Sequence, residues 1–102
     1  MINKYLGTTL TIRMEEDLVS TIAAQTLEDW KKWLKEYSDA TEVILDLSGA
    51  RIIDSEGINL IIGLYRECTA SEKEFRVEQA SQENIRLFKI LKLSKVFGLQ
   101  PA

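Results

Sequence analysis

Residues 52–67 read IIDSEGINLIIGLYRE, and at their centre Ser55 stands between two acids, Asp54 and Glu56, just ahead of Gly57. A serine in that setting has four chemistries open to it: nucleophilic attack, phosphate binding, acceptance of a phosphoryl group, or capping of a helix. A nucleophile needs a base to take its proton. The chain has no histidine and the segment has no lysine, so that role lacks a partner. A phosphate loop needs a glycine-rich run closing on Gly-Lys-Ser/Thr, whereas here one glycine follows two carboxylates that repel phosphate. An aspartyl-phosphate on Asp54 needs a metal-binding acid cluster and a lysine in defined places, and no such set is visible.

Two readings survive. In the first, Ser55 is the N-cap of a helix and its hydroxyl accepts a backbone N–H one turn in. Glu56 at the first helical position then suits the positive helix end, and Gly57 allows close backbone approach. Residue physics alone favours this reading. In the second, Ser55 is a phosphorylation target. A phosphate adds about −1.5 to −2 charges, which a helix N-terminus tolerates. Placed beside Asp54 and Glu56, that charge weakens the docking of a partner without unfolding the domain.

Composition narrows the rest. The chain has 102 residues, 45% of them hydrophobic and 28% charged, with net charge −3. One domain, residues 1–102, with a single packed core is expected. Thirteen Lys/Arg dispersed among sixteen acids give no basic face for nucleic acid. With no histidine and one cysteine, Cys68, neither a zinc site nor Ser-His-Asp or Cys-His catalysis is expected. The expectation is no enzyme, no metal and no cofactor. A lone cysteine fits a reducing compartment. The first residues show no signal-peptide pattern and no apolar run reaches about 20 residues, so a cytoplasmic protein with neither signal peptide nor direct membrane insertion is expected.

The elements that position Ser55 follow from periodicity. Residues 9–14, TLTIRM, alternate at Leu10, Ile12 and Met14 as a half-buried strand. Residues 20–40 carry Ala23, Leu27, Trp30, Leu34 and Tyr37 on one helix face, with Ser20 or Thr21 as N-cap and Glu28–Lys32 paired on the far side. Residues 42–47, EVILDL, form a nearly continuous apolar run suited to a central strand covered on both faces. A turn at Ser48–Arg51 leads to the motif. Beyond it, Ile58, Ile61, Ile62, Tyr65 and Cys68 mark a second amphipathic helix. Leu60 and Leu64 fall off that stripe and are candidates for exposure; the alternative is a second buried edge. Trp33, also off its stripe, is a weaker surface candidate. Residues 74–78, EFRVE, alternate as a strand, and Ser81 caps a third helix burying Ile85, Phe88, Leu91 and Leu87. Val96-Phe97 ends the pattern as a short strand. The only proline is Pro101. This alternation predicts an α/β fold with a largely parallel sheet.

Asp54-Ser55-Glu56-Gly57-Ile58, followed by Leu60-Ile61-Ile62-Gly63 and Tyr65-Arg66, resembles the signature of STAS domains, among them the bacterial anti-sigma factor antagonists. EVILDLSGARII resembles that family's central strand and turn. NIRLFKILKLSKVF resembles its C-terminal helix and last strand. The resemblance spans residues 9–99. It implies a mixed, largely parallel sheet of about four strands with helices packed mainly on one face.

It also implies a regulatory role in transcription by partner switching. Ser55 takes the place of the serine phosphorylated by a kinase-like anti-sigma factor, and a phosphatase restores the free form. The partner-binding surface carried over is Asp54, Ser55, Glu56, Gly57, Ile58, Leu60 and Leu64. Glu56 stands where the family usually has a second Ser or Thr. Glu16-Asp17-Leu18-Val19 stands for the family's Gly-x-Leu-Asp, and Lys92 for a glycine after the third helix. Other STAS roles therefore remain open: a constitutive subunit of a lipid-transport ABC complex, or of a stress-signalling assembly, without phosphorylation.

Overall fold

A computed structural model describes residues 1–99; Pro101 lies outside them. Strands β1 (Ile2–Leu6) and β2 (Thr9–Arg13) form an antiparallel hairpin, which periodicity did not anticipate. Its turn is Gly7-Thr8, with Gly7 at φ 63°, a conformation that suits a two-residue hairpin. The chain then passes a short 3-10 turn (Ser20–Ile22) and helix α1 (Ala23–Glu36) to β3 (Glu42–Asp46). Helix α2 (Ser55–Ala70) leads to β4 (Glu74–Glu78), and α3 (Gln82–Ile90) follows. The sheet order is β1-β2-β3-β4, with β2, β3 and β4 parallel. It is a mixed, largely parallel sheet of four strands with three helices, as expected from the sequence.

Register sorts the sheet faces. Leu10, Ile12, Val43, Leu45 and Val77 point to one side and are buried. They share one core with Trp30 of α1, Ile61 and Leu64 of α2, and Phe88 of α3. The other side carries Thr9, Thr11, Arg13, Glu42, Asp46 and Glu78. There Arg76 reaches Glu42 at 2.9 Å and Glu78 at 2.6 Å. Ile44 is the one apolar residue of the central strand on this face, buried to 8% exposure.

Local expectations are corrected at the cap of α1, at Val96-Phe97 and at Leu91, while the α1 stripe packs on the core. Neither Ser20 nor Thr21 caps α1. Ile22 is its N-cap, with no side-chain cap bond, because Ser20–Ile22 are taken up in the 3-10 turn ahead of the helix. Of the expected α1 stripe, Trp30 is buried, while Ala23, Leu27, Leu34 and Tyr37 are half-buried. Val96-Phe97 is not a strand: residues 94–98 form turns, although the Phe97 carbonyl accepts the Val77 N–H at 2.7 Å and its ring fills the core. Leu91, expected inside, is 45% exposed.

Ser81 does cap α3, its hydroxyl accepting the Asn84 N–H at 3.1 Å. Lys92 takes φ 60°, the left-handed turn that a glycine adopts more readily. Among the described residues no helix is long and apolar enough to cross a membrane.

Candidate functional site

Parallel strands bring their C-terminal ends to one edge of the sheet, so the loops after β2 and β3 meet there. Leu18 and Ile53 form an isolated parallel bridge: the Leu18 N–H donates to the Ile52 carbonyl at 2.9 Å, and the Asp54 N–H donates to the Leu18 carbonyl at 3.2 Å. The Asp17 carboxylate accepts the Arg51 and Ile52 amides at 3.0 Å each. From behind, Asn84 of α3, buried to 6% exposure, donates its side-chain amide to the Ala50 and Arg51 carbonyls. The peptide groups at Arg51 are thus held from two sides, and the segment entering α2 has little freedom.

Asp54, not Ser55, is the N-cap of α2. One carboxylate oxygen accepts the Gly57 N–H at 2.9 Å, and the other accepts the Ser20 N–H at 3.0 Å. These amides, Gly57 first and then Ser20, hold the Asp54 carboxyl below its usual range against the opposing effect of burial, with a further contribution from the Glu56 amide. The expectation that Ser55 caps the helix is therefore corrected. An aspartate one residue earlier reaches both the helix and the first loop, and it shifts Ser55 to the first helical position. There Ser55 is exposed, as is Glu56.

Gly57 is buried against the first loop: a Cβ there would lie 2.1 Å from the Leu18 carbonyl oxygen. Ile58 is half-buried and packs on the core. The buried face of α2 runs through Gly57, Leu60, Ile61, Leu64 and Cys68. Leu60 and Leu64, expected to stand exposed for a partner, are 8% and 1% exposed. Their side chains are core, along the second buried edge. The stripe is rotated because a glycine carries no hydropathy signal, yet its bare side is where α2 comes closest to its neighbour. Ile58, Ile62 and Tyr65 fall on its half-buried flank. Trp33 is likewise half-buried against the core.

The structure therefore brings Asp54, Ser55, Glu56 and Gly57 together on one helix turn and withdraws Leu60 and Leu64. Asp17 and Asn84 were missed as residues that shape this turn. Asn84 had a signal: it precedes Phe88 by four residues, which puts an amide on a buried stripe. Asp17 had none, because its partners lie 34 and 35 residues away. Burial pushes the Cys68 thiol up to about 12, despite the opposing charge of Lys73. Among the described residues no group of three or more His, Cys, Asp or Glu side chains is placed to hold a metal ion.

Comparison with known proteins bears on this arrangement. The anti-sigma factor antagonist SpoIIAA in its unphosphorylated form is similar in fold, with a TM-score of 0.69 and 19% identity over 87% of this chain and 81% of that one. The phosphorylated form of SpoIIAA, a Bacillus cell fate determinant, gives 0.72 and 19% identity over 92% and 85%. The solution structure of TM1081 gives 0.74 and 16% identity over 92% and 74%. At such identities the likeness is one of fold. No curated protein matches the sequence. The STAS domain family model, however, matches residues 2–102, and with the motif turn and the mixed sheet in place the chain belongs to the STAS domain family.

Proposed function

We propose that this single STAS domain is a regulatory protein-binding module of the anti-sigma factor antagonist kind, cytoplasmic and bacterial, switched by phosphorylation of Ser55. The observation that carries the reading is the division of labour at the head of α2. Asp54 takes the capping role, so the Ser55 hydroxyl is exposed and free of structural duty. A kinase-like partner would supply ATP. The Ser55 oxygen attacks the terminal phosphoryl group, ADP leaves, and the serine proton passes to a base on the kinase. The product places a dianion between Asp54 and Glu56, on the surface where the partner docks. Like-charge repulsion then favours release. A phosphatase reverses the step by hydrolysis. SpoIIAA has been described in both forms, which supports the same chemistry here.

A second reading is favoured by one observation. Glu56 is exposed beside Ser55, so the turn carries a negative charge at this place without modification. On that reading the same turn is a permanent docking patch in a lipid-transport ABC complex or a stress-signalling assembly. Pull-down from native lysate with wild type, Ser55→Ala and Ser55→Glu separates the two. Capture of a kinase-like protein by wild type and Ser55→Ala, and its loss with Ser55→Glu, supports the switch. Equal capture of the same proteins by all three baits overturns it.

A further inference from the structure

We propose that the C-terminal end of α3 and the turn behind it form a peripheral docking site for an anionic lipid surface. This does not depend on the role of Ser55. Residues 86–95 hold four cations, Arg86, Lys89, Lys92 and Lys95, and no acid, in a chain whose net charge is −3. All four are exposed, and none joins an ion pair among the described residues. Among them stand Ile90 at 76% exposure and Leu91 at 45%. Among the described residues Ile90 is the most exposed large hydrophobic side chain, ahead of Leu6 at 67% and Ile52 at 60%.

Helix-end electrostatics accounts for Lys89, which lies in the last turn of α3. It does not account for Lys92 and Lys95, which lie beyond the helix, nor for two aliphatic side chains held in water. Spacing puts Arg86, Lys89 and Ile90 on one helix face. Lys92, at φ 60°, turns the chain at once, so Lys95 follows in the adjoining turn. The nearest acid in sequence, Glu83, sits at the other end of the helix.

Cations flanking protruding aliphatic side chains match the chemistry of an acidic headgroup layer over acyl chains. A protein partner gains most from anchors seated in pockets, whereas Ile90 and Leu91 protrude; Lys95, at the edge of the patch, also borders a groove shared with Glu42 and Glu74. The protein would lie on the surface and not span it. Ile90 is six residues along α3 from Asn84, about 9 Å, so the patch shares no residue with the Ser55 turn.

The test is co-sedimentation with phosphatidylglycerol-rich vesicles, against phosphatidylcholine vesicles, at low and raised salt, with fold checked by circular dichroism. Binding is expected to the anionic vesicles only and to fall with salt. Lys89→Gln and Lys92→Gln should each weaken it about fivefold, and Ile90→Ser several-fold. Three outcomes overturn the proposal: no anionic-vesicle binding at millimolar lipid, binding unchanged in the folded Lys89→Gln/Lys92→Gln variant, or retention on immobilised polyglutamate without vesicle binding. The last would mark an acidic protein as the occupant.

Discussion

The carbonyl oxygen of Leu18 occupies the space where Gly57 has no side chain: a Cβ built there would lie 2.1 Å away. The same oxygen accepts the Asp54 N–H. At Leu18 the first loop therefore meets the head of α2 backbone to backbone, beside the side-chain bonds of Asp17 and Asp54, and this close approach exists only because residue 57 is glycine.

Replacing this glycine should invert the usual helix rule. In a helix interior Gly→Ala ordinarily gains about 0.5–1 kcal/mol. Gly63→Ala, with nothing within 4 Å of the new methyl, should show that gain in urea unfolding. Gly57→Ala should instead lose about 1–3 kcal/mol, since backbone must shift to admit the methyl. Equal effects at the two sites would refute this close approach.

The Asp54 carboxyl is held below its ordinary value of 3.8 by the Gly57 and Ser20 amides. A depressed folded-state value contributes stability above the unfolded value and loses it as pH falls through the folded one. Stability differences between wild type and Asp54→Asn should accordingly be steady near neutral pH and shrink below about pH 4. A difference that grows on acidification contradicts the assignment.

Ser55→Ala should leave folding stability within about 0.5 kcal/mol, because Asp54 already caps α2. Thermal unfolding checks this. A large loss would mean that the hydroxyl is structural after all, and the proposed switch would lose its main support.

Asn84→Ala leaves the Ala50 and Arg51 carbonyls without their side-chain donor. Unpaired buried acceptors cost about 1–3 kcal/mol. Amide exchange at Arg51 and Ile52, whose N–H groups bond Asp17, should quicken more than exchange in β3. Uniform quickening would assign Asn84 to global stability alone.

Burial holds the Cys68 thiol near 12, so at mildly alkaline pH only about one molecule in ten thousand is thiolate. Native protein should resist iodoacetamide and label fully in denaturant. Rapid native labelling would show that α2 opens.

Much of this was legible in the sequence because it is set by local periodicity. The alternation at Leu10, Ile12 and Met14 gives the buried edge of the second strand, and VIL at 43–45 gives the centre of the sheet. The motif itself named the turn between β3 and α2. What local pattern could not give was decided by contacts across the chain. Asp54 outcompeted Ser55 for the cap because it also reaches Ser20, 34 residues away. Leu60 and Leu64 went inside because Gly57, silent in any hydropathy count, was the face pressed on Leu18. Val96-Phe97 lies in turns where a strand was expected, and the Phe97 ring is held in the core edge-on against Phe88, 5.0 Å between centroids. Sequence fixes spacing along a helix or strand; which side of it faces the core is settled by the partner it meets.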